Sequence, residues 1–139
     1  LGGEMSGHIF FNDRWKGFDD GIYAGARMLE IIASEDTKDI FSELPNMVST
    51  PEINVSTTDE EKFFLVEQFI KKTDFSNAKI IDIDGIRVEY EKGWGLLRAS
   101  NTSPMLVLRF EAETENDLNN IKTIFYDNLK RIEPDIENF

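Results

Sequence analysis

The spacing of apolar residues changes period part-way along the chain. Ile22, Ala26, Leu29 and Ile32 or Ala33 recur at helical intervals and predict a helix over about 20–34, capped by Asp19 or Asp20. Ile40, Phe41 and Leu44 predict a shorter helix around 37–44. Pro45 and Pro51 then bracket the polar stretch LPNMVSTPE. Each proline disfavours helix at its own position and just before it, so this segment is the best candidate for a domain boundary or hinge.

Beyond it, Ile53 and Val55 share one face of a strand over 52–56. Thr58 and Glu61 have the spacing of a capping box, and the helix that follows to about Lys72 presents Phe63, Val66, Phe69 and Ile70. Four strand-like runs come next, at 78–83, 86–91, 94–100 and 105–112, separated by turn chemistry at Asp84-Gly85, Lys92-Gly93 and SNTSP. Thr114, with Asp117 three residues on, caps a last helix over about 115–131, whose stripe is Leu118, Ile121, Phe125, Leu129 and Ile132. The fold class is α+β. Residues 47–139 form a β-α-β-β-β-β-α domain, an antiparallel sheet with two helices on one face.

Composition bounds the function more than the fold. Among 139 residues, 40% are hydrophobic and 30% charged, the balance of a globular domain. There is no cysteine, so neither a disulfide framework nor a thiolate metal site can form. No apolar run approaches the roughly 20 residues needed to span a bilayer, and the expected compartment is the cytoplasm. The net charge of -12 repels a phosphate backbone at long range, which argues against nucleic acid and anionic membranes as partners. Any phosphate must then be held by a local set of donors. The chain opens at Leu1 within a Gly-rich stretch, which predicts a fragment, engineered or proteolytic, of a longer protein.

Two segments could carry chemistry. In GGEMSGH, Glu4, Ser6 and His8 alternate, so an extended backbone would project all three to one side, suited to the hydroxyls of a sugar. The same composition also suits an ordinary flexible Gly-rich end. In RASNTSP, Arg98 offers a planar fork to two phosphate oxygens, while Ser100, Asn101, Thr102 and Ser103 add donors around a tight turn. The competing reading is a polar hairpin loop in which Asn and Pro serve turn geometry alone. Asp82-Ile83-Asp84-Gly85 contains a D-x-D, but Asp82 is expected in a strand and Asp84-Gly85 in a turn, with no third carboxylate at metal-ligand spacing. His8 is the single histidine, so no triad or His-based metal cluster can be assembled, and no P-loop or dinucleotide fingerprint is present.

Taken together, the two segments resemble the α-D-phosphohexomutases. GEMSGH at 3–8 is similar to the sugar-recognition loop of that family's third domain, and RASNTSP at 98–104 to the phosphate-binding loop of its fourth. The intervening text, FFNDRWKGFDDGIYAGARMLEI, STPEINV and DGIRVEYEKGWGLLRASNT, resembles the family as well. Met5 and the Ser-Asn-Thr run point to its phosphomannomutase/phosphoglucomutase group.

The resemblance implies that residues 1–46 are a helical remnant of the third, sugar-binding α/β domain, and that 47–139 are the fourth, phosphate-binding domain. It implies that Glu4 and Ser6 hold sugar hydroxyls and that His8 lies near the sugar as an aid to proton transfer. Arg98, Ser100, Asn101 and Thr102 would grip the phosphate that is not being transferred. It implies an enzyme that interconverts mannose or glucose 1- and 6-phosphates through a phosphoserine and a bisphosphorylated intermediate, with magnesium on an Asp-rich loop. Neither that serine loop nor that metal loop is found in these residues, so the chain is expected to be inactive alone, with no catalytic residue or metal of its own, and its partners to be hexose phosphates and the missing N-terminal domains. The alternative is a stand-alone acidic anion-binding or protein-interaction module, which would have no reason to carry GEMSGH.

Overall fold

The computed structural model describes residues 1–4, 6–34, 42, 44–75 and 77–139. Residues 37–41 and 43 of the expected short helix, including Ile40 and Phe41, lie outside that set. The chain divides into two compact units, Leu1–Pro45 and Asn46–Phe139.

In the first unit, β1 (Gly2–Gly3) and β2 (Ile9–Phe10) form a small antiparallel hairpin, and a loop leads to α1 (Gly21–Ser34). Asp20 starts that helix, its Oδ1 accepting the Ile22 and Tyr23 amides at 3.0 Å each. The helix packs through polar and aromatic side chains rather than through its apolar stripe. Trp15 stacks on Tyr23 at 4.3 Å, and Arg14 meets Glu30 in a two-pronged pair at 2.9 and 2.6 Å. Arg27 joins Asp13 at 3.0 Å and lies over the Phe11 ring. Tyr23, Arg27 and Glu30 thus form the contact face, one turn apart on the helix. Ile22 and Leu29 of the expected stripe are exposed.

The second unit is built on an antiparallel sheet whose order is β5 (Lys79–Ile81), β6 (Ile86–Tyr90), β7 (Gly93–Ala99), β8 (Met105–Ala112), with β3 (Val48–Ser49) and β4 (Ile53–Ser56) both paired to the outer side of β8. β3 was not anticipated. Register explains why. From Ser49↔Glu111 to Ile53↔Leu108 the chain takes four steps against three on β8, a one-residue bulge. Thr50 bridges it, donating its N–H to the Phe110 carbonyl at 3.0 Å and accepting the Phe110 amide on Oγ1 at 3.1 Å. Pro51, which has no N–H to offer, sits in the bulge where none is required. The expected hinge over Pro45–Pro51 therefore overlaps the sheet from Val48 onward. β5 is shorter than expected, and Asp82 lies beyond it rather than in a strand.

α2 (Glu61–Lys72) and α3 (Glu115–Ile132) cover one face of this sheet. The core alternates out of the strands as Val55, Ile86, Val88, Leu97, Leu106, Leu108 and Phe110, and closes against Leu65, Val66 and Phe69 from α2 and Leu118, Ile121, Phe125 and Leu129 from α3. At its centre the Phe125 ring contacts Phe69 and Phe110, with centroids 5.1 and 5.2 Å away. Phe63, expected inward, is 57% exposed. The buried face of α2 is Lys62, Leu65, Val66 and Phe69, rotated from the expected one.

Both helix caps have the expected residues with one variation. Thr58 Oγ1 accepts the Glu61 amide and donates to the Glu61 carboxylate, so the carboxylate binds the capping hydroxyl. Thr114 and Asp117 repeat that arrangement at α3.

Candidate substrate-binding loops

The segment 4–8 closes the β1–β2 hairpin. Glu4 donates its amide to the His8 carbonyl at 2.9 Å, and the Gly7 amide returns to the Glu4 carbonyl at 3.0 Å. Gly7 takes φ +90°, which a side chain would resist. The expected extended stretch is thus a tight turn, and simple alternation does not describe its side chains. Instead Ser6 Oγ donates to the Glu4 carboxylate at 3.1 Å, which brings those two together. All three residues are exposed.

His8 is held from the next element. Its Nδ1 donates to Asp19 Oδ2 at 2.5 Å, while Asp19 Oδ1 accepts the Ile9 amide at 3.3 Å. The Asp19 carboxylate, by hydrogen bond and then by charge, pushes the His8 pKa above its ordinary value; the little burial there works the other way, and Glu4 adds to the rise. The bond fixes the proton on Nδ1 and leaves Nε2 as the ring nitrogen open to a ligand. In the sequence Asp19 was visible only as a possible helix cap. Asp20 does that work, which frees Asp19 to orient the imidazole.

In the second unit the 98–104 segment joins β7 to β8 as a closed loop. The Ser100 amide donates to the Met105 carbonyl at 3.0 Å, and the Met105 amide donates to the Ser103 carbonyl at 2.9 Å. Ser100 is buried, and its Oγ accepts the amides of Ser103 at 3.2 Å and Thr102 at 3.4 Å. Its hydroxyl therefore shapes the loop rather than standing in the open, whereas Asn101 and Thr102 are exposed at the tip. Arg98 precedes them on β7, its side chain one-third exposed, with Nη1 3.5 Å from Asp84 Oδ2. The D-G turn thus contributes a carboxylate beside the guanidinium.

Two further bonds anchor the loop. The Thr57 amide donates to the Pro104 carbonyl at 3.0 Å. Lys62, buried on α2, donates to the Ser103 carbonyl at 3.1 Å and to Asp59 at 2.6 Å. Its position at the head of the 62, 65, 66, 69 series is the signal that placed it inward. Among the described residues no group of three or more His, Asp or Glu side chains is arranged to hold a metal ion. No helix of the described residues is long and apolar enough to cross a membrane.

The family model for the phosphoglucomutase/phosphomannomutase C-terminal domain matches residues 52–128, and that for the alpha/beta/alpha domain III matches residues 1–48. The chain belongs to the phosphoglucomutase/phosphomannomutase family. It is 55% identical over 139 residues to a phosphomannomutase/phosphoglucomutase of Pseudomonas syringae pv. tomato, covering 99% of this chain and 30% of that protein. It is 52% identical over 135 residues to a phosphomannomutase/phosphoglucomutase of Pseudomonas aeruginosa, covering 96% of this chain and 29% of that one. The crystal structure of a phosphoglucomutase/phosphomannomutase family protein from Burkholderia thailandensis superposes with a TM-score of 0.85 at 46% identity, over 99% of this chain and 29% of that one. The chain thus spans about 30% of the length of these relatives. The mixed fold, with its antiparallel sheet, agrees with the expectation from sequence.

Proposed function

We propose that this chain is the sugar- and phosphate-gripping part of an enzyme that interconverts hexose 1-phosphates and hexose 6-phosphates, mannose or glucose, by way of a phosphoserine and a bisphosphorylated intermediate. Residues 1–46 serve the sugar and residues 47–139 the phosphate. The observation that carries the reading is the closed loop after Arg98. A guanidinium fork stands beside a turn that one buried hydroxyl holds in shape, with Asn101 and Thr102 exposed at its tip, an arrangement suited to a phosphomonoester without a metal.

Arg98, Ser100, Asn101 and Thr102 form that grip, Ser100 by shaping the loop and the others by reaching outward. Glu4 and Ser6 accept and donate to sugar hydroxyls, and His8, oriented by Asp19, offers Nε2 to the sugar. The substrate must bind in two orientations, so a strong clamp on the remote phosphate lets either end be positioned for reaction. The phosphoserine and the magnesium that supports its transfer belong to the other domains of a cytoplasmic parent enzyme. This chain alone turns over nothing.

The test is an amide NMR titration of the chain with mannose 1-phosphate, with inorganic phosphate and free mannose as controls. Shifts concentrated at residues 98–104 and abolished in Arg98→Ala are expected. Removing a bidentate charge-assisted contact lowers affinity by roughly 10- to 150-fold. No shift at millimolar ligand, or equal binding by the Arg98→Ala chain, overturns the assignment.

A further inference from the structure

Lys62 is placed against two local preferences. It lies in the first turn of α2, where the helix dipole disfavours a cation, and it is only 4% exposed, where an ammonium is costly unless paired. A leucine or methionine at this position would simply extend the Leu65, Val66, Phe69 face. Sequences break local rules in this way chiefly where function asks for it.

The partners of Lys62 show what the lysine provides. One proton of Nζ goes to Asp59 in the preceding turn, and another to the Ser103 carbonyl, 41 residues along the chain. That carbonyl is also the acceptor for the Met105 amide, the bond that closes the loop at its β8 end. Ser103 in turn gives its amide to Ser100 Oγ. The ammonium therefore bonds a residue through which two of the loop's internal ties run. Buried as it is, it cannot reach out to a ligand.

We infer that Lys62 is a positioning residue for anion binding: it pins the 100–104 loop from beneath without touching the ligand. The inference rests on the reading of 98–104 as a phosphate site. It deepens that reading by assigning the donor geometry of the loop to a residue on a different element.

The experiment compares the full chain with Lys62→Met, Lys62→Arg and Lys71→Met. The last removes the same charge from an exposed position on the same helix, where Lys71 pairs with Glu67. Lys62→Met is expected to bind mannose 1-phosphate about tenfold more weakly. It should also shift the Thr102, Ser103 and Met105 amides in the absence of ligand and speed their hydrogen exchange. Lys62→Arg, which keeps a charged donor, should restore most of both, and Lys71→Met should change neither. Lys62→Met with unchanged loop amides and unchanged affinity overturns the inference, as does an equal loss in Lys71→Met. If the wild-type chain binds no phosphate, the phosphate reading fails on its own, and the ligand-free amides still decide whether Lys62 sets the loop.

Discussion

Gly85 ties the D-G turn to the start of the 98–104 segment through space, and replacing it by alanine tests that tie. Gly85 takes φ +75°, and a Cβ built on it would lie 2.3 Å from the Leu97 carbonyl oxygen, 2.6 Å from Arg98 Cβ and 2.7 Å from Arg98 Cα. These are atoms of the β7 backbone and its first side-chain carbon, paired through Ile86↔Leu97 and locked over a fully buried Leu97, so no flexible side chain can swing away. Forcing an L-residue into the left-handed region costs about 1–2 kcal/mol. Displacing packed atoms to make room costs about 1–3 kcal/mol more. The sum, about 2–5 kcal/mol, is a large part of the stability of a small domain.

The chain has two tryptophans, Trp15 in the first unit and Trp94 in the second, so a Trp15→Phe background leaves Trp94 fluorescence as a reporter of the second unit. In that background Gly85→Ala should lower the melting temperature by about 8 °C or more, since each kcal/mol is worth about 4–8 °C in a domain of this size. Gly85→Asn separates the two causes, because asparagine tolerates the left-handed region but keeps the Cβ overlap. It should lie close to alanine rather than to glycine. A melting temperature within about 4 °C of the parent in Gly85→Ala, or an asparagine variant as stable as glycine, refutes the overlap argument.

The single histidine makes the Asp19 contact equally accessible. Asp19→Asn keeps a hydrogen-bond acceptor but removes the charge, so the His8 ring resonances should titrate at lower pH than in the parent; an unmoved midpoint removes Asp19 as the cause. Because the folded pKa is raised, the pair stabilises the fold fully below the unfolded value of about 6.5 and loses that contribution as pH rises through the folded value, a pH dependence that Asp19→Asn should flatten in urea melts. Ser100→Ala takes the acceptor from the Thr102 and Ser103 amides, so their hydrogen exchange should quicken and phosphate affinity fall, and unchanged exchange at both would show that the hydroxyl does not shape the loop.

The second unit was legible because its periods are clean. The i, i+3, i+4 stripe of α3 matched the core it buries, and the two threonines marked the helix starts. What escaped the sequence depended on tertiary pairing. β3 is two residues long and enters the sheet through a bulge, so neither length nor alternation announces it. On α2 two faces were nearly equal in hydrophobicity, and the choice between Phe63 and the Lys62–Leu65 side rested on a lysine that finds its partners on a loop 41 residues away. α1 misled for a related reason: its apolar stripe is real, but within the first unit aromatic and ionic contacts to residues 11–15 hold the other side. The proposed site residues were legible as types. Their geometry was not, because a hairpin turn replaced an extended run at 4–8 and because Asp19, Asp84 and Lys62 act across space.

The charge of the chain bears on how the proposed phosphate grip would work. Fifteen basic residues against 27 acidic ones leave a repulsive far field, but charges beyond about 8 Å are largely screened at physiological ionic strength. At contact the ledger reverses, because a pair at 4 Å near a protein surface is worth about 4 kcal/mol before desolvation. Arg98 at the rim can supply such a contact, and its weak pairing with Asp84, an exposed contact at 3.5 Å, is worth at most about 1 kcal/mol and is readily exchanged for a phosphate. Lys62 underneath, its charge met by Asp59, holds the Ser103 carbonyl and with it the shape of the loop. On the proposed reading, a far field that repels anions in general, joined to a short-range contact at Arg98, favours a small phosphomonoester, which meets little of that repulsion, over polyanions.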